Sequence, residues 1–341
     1  VPLSMARELA RQARADRVQG SDPKVARMAR KAGAITFGEA ADKLIESIET
    51  GWRSKEHRSQ WRYSLQTAAA PLRGIPVNRI TVEDVRDVLA PIWLTMPETA
   101  ARLRGRIEKV LDFAKVRGHR VGENPARWRG LLEHLLPKQP PRRQRVRHFP
   151  ALPYAELPAF MEQLRSLDSM GPRALEFAIL TAARSGEILG ATWEEIDLDT
   201  GIWTIPAGRM KAGQEHRVPL SPAAVALLQP LAELRFSPFV FPGIKRGRPM
   251  SVMALSDVLR RMGRAGITVH GFRSTFRQWC AERTNFPREI AEGCLAHVNP
   301  DATEAAYQRS DLIDRRRKLM AAWASYCTKP SIAGAVVPIR R

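Results

Sequence analysis

Cysteine is scarce, with only Cys280, Cys294 and Cys327 in 341 residues. An odd number at that spacing fits neither a zinc ribbon nor a disulfide framework, and reads as small buried thiols in a reduced cytosolic protein. Acidic residues are short as well: 35 Asp and Glu face 55 Lys and Arg, a formal net charge of +20. Such an imbalance repels itself unless a polyanion is the partner. Nucleic acid, an anionic membrane or an acidic protein would each serve. No run of about 20 apolar residues is present to span a bilayer, and the start lacks the pattern of a secretory signal. Nucleotide-cradling Gly-rich loops of the P-loop type are missing, and so is an obvious carboxylate cluster for Mg²⁺. The sequence begins with Val1 rather than Met, so the numbering is expected to start inside a longer protein or after processing.

What is there is 44% hydrophobic, enough for ordinary cores and for two domains. The stretch Ser4 to Ala13 is alanine-rich and suits a helix, ending at the turn-like Gly20-Ser21-Asp22-Pro23. Phe37 to Ile48 has helical spacing through Ala40, Leu44 and Ile48, and residues 54–72 read as a second helix. Thr81-Val82-Glu83-Asp84 resembles a capping box before a third helix, and Thr95-Met96-Pro97-Glu98 another before a fourth. In the fourth, Leu103, Ile107, Val110, Leu111 and Ala114 form one apolar stripe, with Arg102, Arg106, Lys109 and Lys115 off it. These segments make a small helical bundle with a basic surface. Pro137 to Arg147 holds three prolines and five basic side chains, among them Arg142, Arg143, Arg145 and Arg147. It reads as a stiff extended linker, either simply solvated or a strap along phosphates. Beyond it, helices alternate with a short β section in which residues 201–206 and 216–220 form a hairpin. The expected organisation is a remnant helix at 1–33, the bundle at 34–136, the linker at 137–150, a mixed domain at 151–328 and a tail at 329–341. The last helix, with Leu312, Leu319, Met320 and Trp323, would pack on its own domain or exchange onto a neighbour.

Four local patterns could carry chemistry. In His270-Gly271-Phe272-Arg273 the imidazole and guanidinium, three apart, would share a helix face. Arg184 follows the apolar run Phe177 to Leu180, with Glu187 three residues on. Tyr307 comes ten residues after His297, and Lys211 sits at the predicted hairpin tip. Each alone is what an ordinary surface helix, helix end or hairpin also carries.

Their order, however, closely resembles the tyrosine recombinase (phage integrase) family: an Arg in the first long helix, a hairpin Lys, His-x-x-Arg, a second His, then Tyr. The wording of Ala183-Arg184-Ser185-Gly186-Glu187, His270-Gly271-Phe272-Arg273, Leu295-Ala296-His297 and Ala306-Tyr307 is similar to that family's boxes. The family often has Gly where this chain has Ala296, a change expected to perturb little. The resemblance implies a mainly α fold with a small β-sheet, in which a helical core-binding domain precedes a mixed α+β catalytic domain. Residues 4–23 look like the exit of an arm-site-binding domain, most of which would be missing.

The resemblance further implies a metal- and ATP-independent recombinase without cofactors, working through a 3′-phosphotyrosine intermediate to integrate or excise a prophage or genomic island. Arg184 and Arg273 would fork onto the phosphate. His270 and His297 would add donors, Lys211 would protonate the leaving 5′-oxygen, and Glu187 would support the first arginine. Tyr307 would attack phosphorus. Its phenolate costs about 4 kcal/mol at pH 7, so a histidine base is needed. Arg102, Arg106, Lys109 and the linker arginines would contact DNA. Partners would be duplex attachment sites, a homotetramer on synapsed DNA and possible bending or excisionase-type proteins, in the bacterial cytoplasm at the nucleoid. A strand-passage enzyme of the tyrosine topoisomerase class, or a clamp without catalysis, are the other readings.

Overall fold

The computed structural model describes residues 2–18, 35–52, 54–141, 150–245, 247–297 and 310–329. Two compact units, residues 1–147 and 148–341, each have their own hydrophobic core. Helix α1 (Leu3–Val18) is exposed along almost its whole length and joins neither core.

The first unit is built from α2 (Phe37–Ile48), α3 (Lys55–Tyr63), α4 (Val82–Trp93) and α5 (Pro97–Val116). Side chains next to the first turn close two of these helices. Thr36 N–H donates to Glu39 Oε2 at 2.8 Å while Glu39 N–H donates to Thr36 Oγ1 at 3.2 Å. Thr81 and Asp84 repeat the exchange before α4, each satisfying donors that a helix start leaves orphaned. The third expected box does not form. Helix α5 starts at Pro97 behind Met96, without a side-chain cap. Thr95 Oγ1 instead donates back to Pro91 O at 3.3 Å, closing the end of α4. The expected helix over 54–72 is also broken: α3 ends at Tyr63, and a π-helical turn (Ser64–Ala68) and a 3-10 turn (Ala70–Leu72) follow.

Arg106 of α5 braces the end of α3. It donates to Gln60 O and Ser64 Oγ, both at 2.7 Å, and its guanidinium lies 5.1 Å from the Trp61 ring. Arg106, expected at DNA, is thus half-buried and engaged with α3, whereas Arg102 and Lys109 are exposed. The α5 stripe of Leu103, Ile107, Val110, Leu111 and Ala114 is buried. Pro137 and Gln139, at the start of the expected linker, are held on this unit: Trp93 Nε1 donates to Pro137 O at 2.7 Å and Gln139 Nε2 to Trp93 O at 2.9 Å. Arg142, Arg143, Arg145 and Arg147 lie outside the described residues.

The second unit contains α6 (Leu157–Arg165), α7 (Met170–Thr181) and the short α8 (Ser185–Leu189). A three-stranded antiparallel sheet of β1 (Ile196–Asp197), β2 (Ile202–Ile205) and β3 (His216–Pro219) follows. Helices α9 (Pro222–Glu233), α10 (Ala254–Arg261), α11 (Gly271–Arg283), α12 (Arg288–Cys294) and α13 (Ile313–Cys327) complete it. The expected hairpin is β2–β3, with Ile205 opposite His216 and Ile202 opposite Pro219. The two-residue β1 was not foreseeable, being too short to show alternation. Helix α7 runs through the core, with Phe177 to Leu180 buried. Helix α13 packs on its own unit: Trp323 is fully buried and its Nε1 donates to Ile179 O at 2.8 Å. The architecture is mainly α with a small antiparallel sheet.

Candidate active site

Four corners of the second unit bring the sequence-flagged groups together. The first is the break between α7 and α8. Ala182 adopts a left-handed conformation (φ +51°) that ends α7, and Arg184 begins α8. The arginine is therefore just past the long helix rather than within it. One carboxylate orients it twice: Glu187 Oε2 accepts from Arg184 N–H and Glu187 Oε1 from Arg184 Nη1, both at 2.8 Å. Glu187 is buried, so its charge is compensated by this pair rather than by water.

The second corner is the start of α11. His270 precedes the helix and Arg273 lies within its first turn. Arg273 is only 5% exposed. Its Nη1 donates to Ala182 O at 2.5 Å and its Nη2 to Leu295 O at 2.6 Å. The beginning of the unit is stitched to this turn: Pro150 O accepts from Thr268 N–H at 3.0 Å, and Thr275 Oγ1 donates to Leu152 O at 2.6 Å. A Cβ on Gly271 would stand 2.3 Å from Pro150 O, so only glycine admits that backbone approach.

The third corner is the end of α12, which closes in a Schellman turn. His297 N–H donates to Glu292 O at 3.1 Å and Ala296 N–H to Gly293 O at 3.2 Å, with Ala296 left-handed at φ +48°. This is the position that glycine usually occupies, so the departure at Ala296 is more than a neutral helix-end change. A left-handed alanine is strained by roughly 1 kcal/mol or more. The turn aims two carbonyls inward: Ala296 O accepts from Arg184 Nη2 at 3.2 Å, and Leu295 O from Arg184 Nη2 at 3.4 Å as well as from Arg273. Both guanidinium groups thus meet at Leu295 O. His297 joins them, its Nε2 3.3 Å from Arg273 Nη2 and its Nδ1 2.5 Å from Glu292 Oε2.

The fourth corner is the β2–β3 hairpin. Lys211 is exposed in the turn before β3, and its charge reaches His270. Arg209, in the same connection, donates to Glu187 O at 2.5 Å and pairs with Glu195, which also accepts from Trp203 Nε1 at 3.0 Å. His216 on β3 faces the backbone of Cys294 at the end of α12. The hairpin is therefore latched to α8 and set against α12. Tyr307 lies outside the described residues.

The electrostatics follow from crowding cations. Burial, then the neighbouring Arg184, pushes Arg273 down to about 10. Burial lowers His270 too, helped by Arg273, Arg184, His297 and Lys211, so its ring is neutral and able to accept a proton at neutral pH. His216 is pushed down to about 3 by burial, then by Arg316 and Arg184. Two cations around one neutral carbonyl, with neutral imidazoles beside them, form a site waiting for an anion. Among the described residues no group of three or more His, Cys, Asp or Glu converges as a metal site would.

Sequence reasoning missed Glu292, Arg209 and His216. Glu292 is five residues from His297, a spacing that helix periodicity does not pair. The Schellman turn that joins them was hidden because Ala stands where Gly would signal it.

Residues 37–131 match the phage integrase central domain and residues 151–312 match the phage integrase family. The chain belongs to the phage integrase family of tyrosine recombinases. It is 32% identical to prophage integrase IntZ of Escherichia coli (strain K12), over 95% of this chain and 80% of that protein. To the integrase of Enterobacteria phage P4 it is 31% identical, over 96% and 77%. Among solved structures, a lambda integrase dimer bound to a COC′ core site superposes with a TM-score of 0.62 at 17% identity, covering 85% of this chain and 81% of that one. A lambda integrase tetramer bound to a Holliday junction gives 0.62 at 16%, covering 88% and 89%. These two likenesses concern the fold.

Proposed function

We propose that this integrase-family chain is a site-specific DNA recombinase that cuts and rejoins strands through a 3′-phosphotyrosine on Tyr307, integrating or excising a prophage or genomic island. The observation that carries the reading is the convergence of Arg184 and Arg273 on Leu295 O, with His297 in contact with Arg273. A scissile phosphate would take over donors now spent on a carbonyl, and two forks match its oxygens. Tyr307 Oη attacks phosphorus, neutral His270 takes the phenol proton, and the P–O5′ bond breaks as Lys211 protonates the leaving oxygen. His297 donates to a phosphoryl oxygen where charge gathers in the five-coordinate transition state. Since one phosphoester replaces another, rejoining by the reverse route needs neither ATP nor a metal ion.

The net charge of +20 and the names of the prophage integrase relatives support duplex attachment sites as the substrate. The lambda structures, a dimer on a core site and a tetramer on a Holliday junction, support assembly of four copies on two sites. The bacterial cytoplasm, at the nucleoid, is the corresponding location.

The test is trapping on a nicked suicide substrate carrying the element's attachment site. The wild type is expected to form a covalent adduct, and Tyr307→Phe to bind equally and form none. An adduct surviving in Tyr307→Phe would remove the assigned nucleophile. Relaxation of plasmid lacking an attachment site would point to a topoisomerase instead.

A further inference from the structure

Helix α12 ends with Glu292 at the third position from the cap and His297 just beyond the left-handed residue. A Schellman turn brings those two positions together, commonly as an apolar contact. Here the contact is ionic. Glu292 Oε2 stands 2.5 Å from His297 Nδ1, while Glu292 Oε1 is held by Arg277 Nε at 2.7 Å and by Arg288 Nε at 3.4 Å. A carboxylate accepts and a guanidinium only donates. His297 Nδ1 therefore carries the proton toward Glu292, and Nε2 offers its lone pair to Arg273 Nη2 at 3.3 Å. These contacts hold the ring in one tautomer.

A phosphate bound by Arg273 inverts the demand on Nε2. Facing an anionic oxygen, Nε2 must become a donor, which requires a second proton on the ring. The groups around the ring decide whether that is tolerable. From α11 come the cations Arg273 and Arg277, from the start of α8 Arg184 and from α12 Arg288; the turn before α11 brings neutral His270, itself facing Lys211. The carboxylates near them are Glu187, paired with Arg184, and Glu292, whose burial is outweighed by its hydrogen bonds to His297 and Arg277 so that it stays ionised. Of the two, Glu292 is the one hydrogen-bonded to this imidazole.

We propose that Glu292 is a positioning residue for strand cleavage: it fixes His297 with Nδ1 protonated and, acting as counter-charge, lets the ring serve as a doubly protonated donor to the phosphoryl oxygen. This rests on the recombinase reading above and extends it. The two histidines then divide the work by environment. His270, among cations, stays neutral and accepts a proton; His297, backed by a carboxylate, carries one and donates.

The experiment measures single-turnover cleavage of the nicked substrate from pH 6 to pH 9 for wild type, Glu292→Gln and Glu292→Asp, with DNA affinity determined alongside. Glu292→Gln keeps an acceptor but loses the charge. Its alkaline limb is expected to move to lower pH by about one unit, a loss of about tenfold above the limb. DNA affinity should stay within about twofold, and Glu292→Asp should restore part of the limb. In a His297→Asn background Glu292→Gln should add nothing further. An unshifted limb, or a rate loss equal at every pH, would overturn the proposal. A second readout needs no cleavage: ¹⁵N shifts of the His297 ring in DNA-free protein should report one Nδ1-protonated tautomer in the wild type and a mixture in Glu292→Ala. If no DNA adduct forms with the wild type, the recombinase reading fails by itself. The tautomer result still upholds or refutes the Glu292–His297 pairing.

Discussion

Both units bury arginine among main-chain carbonyls, and Arg120 of the first and Arg273 of the second differ in what stands beside them. Arg120, in the bundle, is 8% exposed and donates to the carbonyls of Val77, Ile80 and Glu123. Its proton affinity is lowered by burial alone. Arg273, 5% exposed, also donates to two carbonyls. It shares one of them with a second cation, Arg184, and touches a histidine. Burial of a guanidinium is thus common to both units. What sets Arg273 apart is a second positive group drawn to the same acceptor, an arrangement held at an electrostatic disadvantage that an anion would relieve. The backbone repeats the contrast. Among the described residues, the non-glycine positions with positive φ are Ala182, Ala296 and Leu312, all in the second unit. Two of them present carbonyls to the paired arginines.

Substituting the two arginines breaks the comparison most sharply. Arg273→Ala is expected to slow adduct formation by roughly 10²–10³-fold while filter-binding affinity for DNA changes little. An equal loss of affinity and rate would make Arg273 an ordinary phosphate contact. Arg120→Ala should do the opposite. It should destabilise the bundle by about 1–3 kcal/mol through the stranded carbonyls, seen in chemical denaturation, with the cleavage rate of folded protein unchanged.

A smaller effect concerns pH. His216 titrates near 6.5 when unfolded but is pushed down to about 3 in the fold. The unfolded state therefore binds its proton first as pH falls. Stability from this group is complete above about pH 6.5 and is lost progressively toward pH 3. His216→Gln should flatten that part of the stability profile of the second unit, and an unchanged profile would show that the ring is open to water. Smallest is Ala296→Gly, expected to stabilise by about 0.5–1 kcal/mol because glycine accepts the left-handed turn. Loss of stability there would mean that the alanine methyl packs usefully.

Local rules account for what the sequence disclosed. Thr36 with Glu39 and Thr81 with Asp84 close their helices within one turn, and the α5 stripe shows its period in the residue order. Arg184, His270, Arg273 and His297 were singled out because the order of motifs resembles a family, while periodicity by itself left each ambiguous. What stayed hidden needs partners far along the chain or a backbone state the residue type disguises. Arg106 braces the end of α3 from more than forty positions away, a contact that the residue order of 54–72 does not show. Ala296 concealed the turn that sets Glu292 on His297. Thr95 looked like a cap although Pro91 had already claimed its hydroxyl.

The shared acceptor at Leu295 lies 111 residues beyond Arg184 in the chain, and contacts of such separation form only after a large loop has been closed. A nascent or partly unfolded copy can carry α7, α8 and the hairpin and still lack the carbonyl that gathers the two guanidinium groups. The two guanidinium groups are gathered only once the chain through Leu295 has been made and folded back onto the turn between α7 and α8.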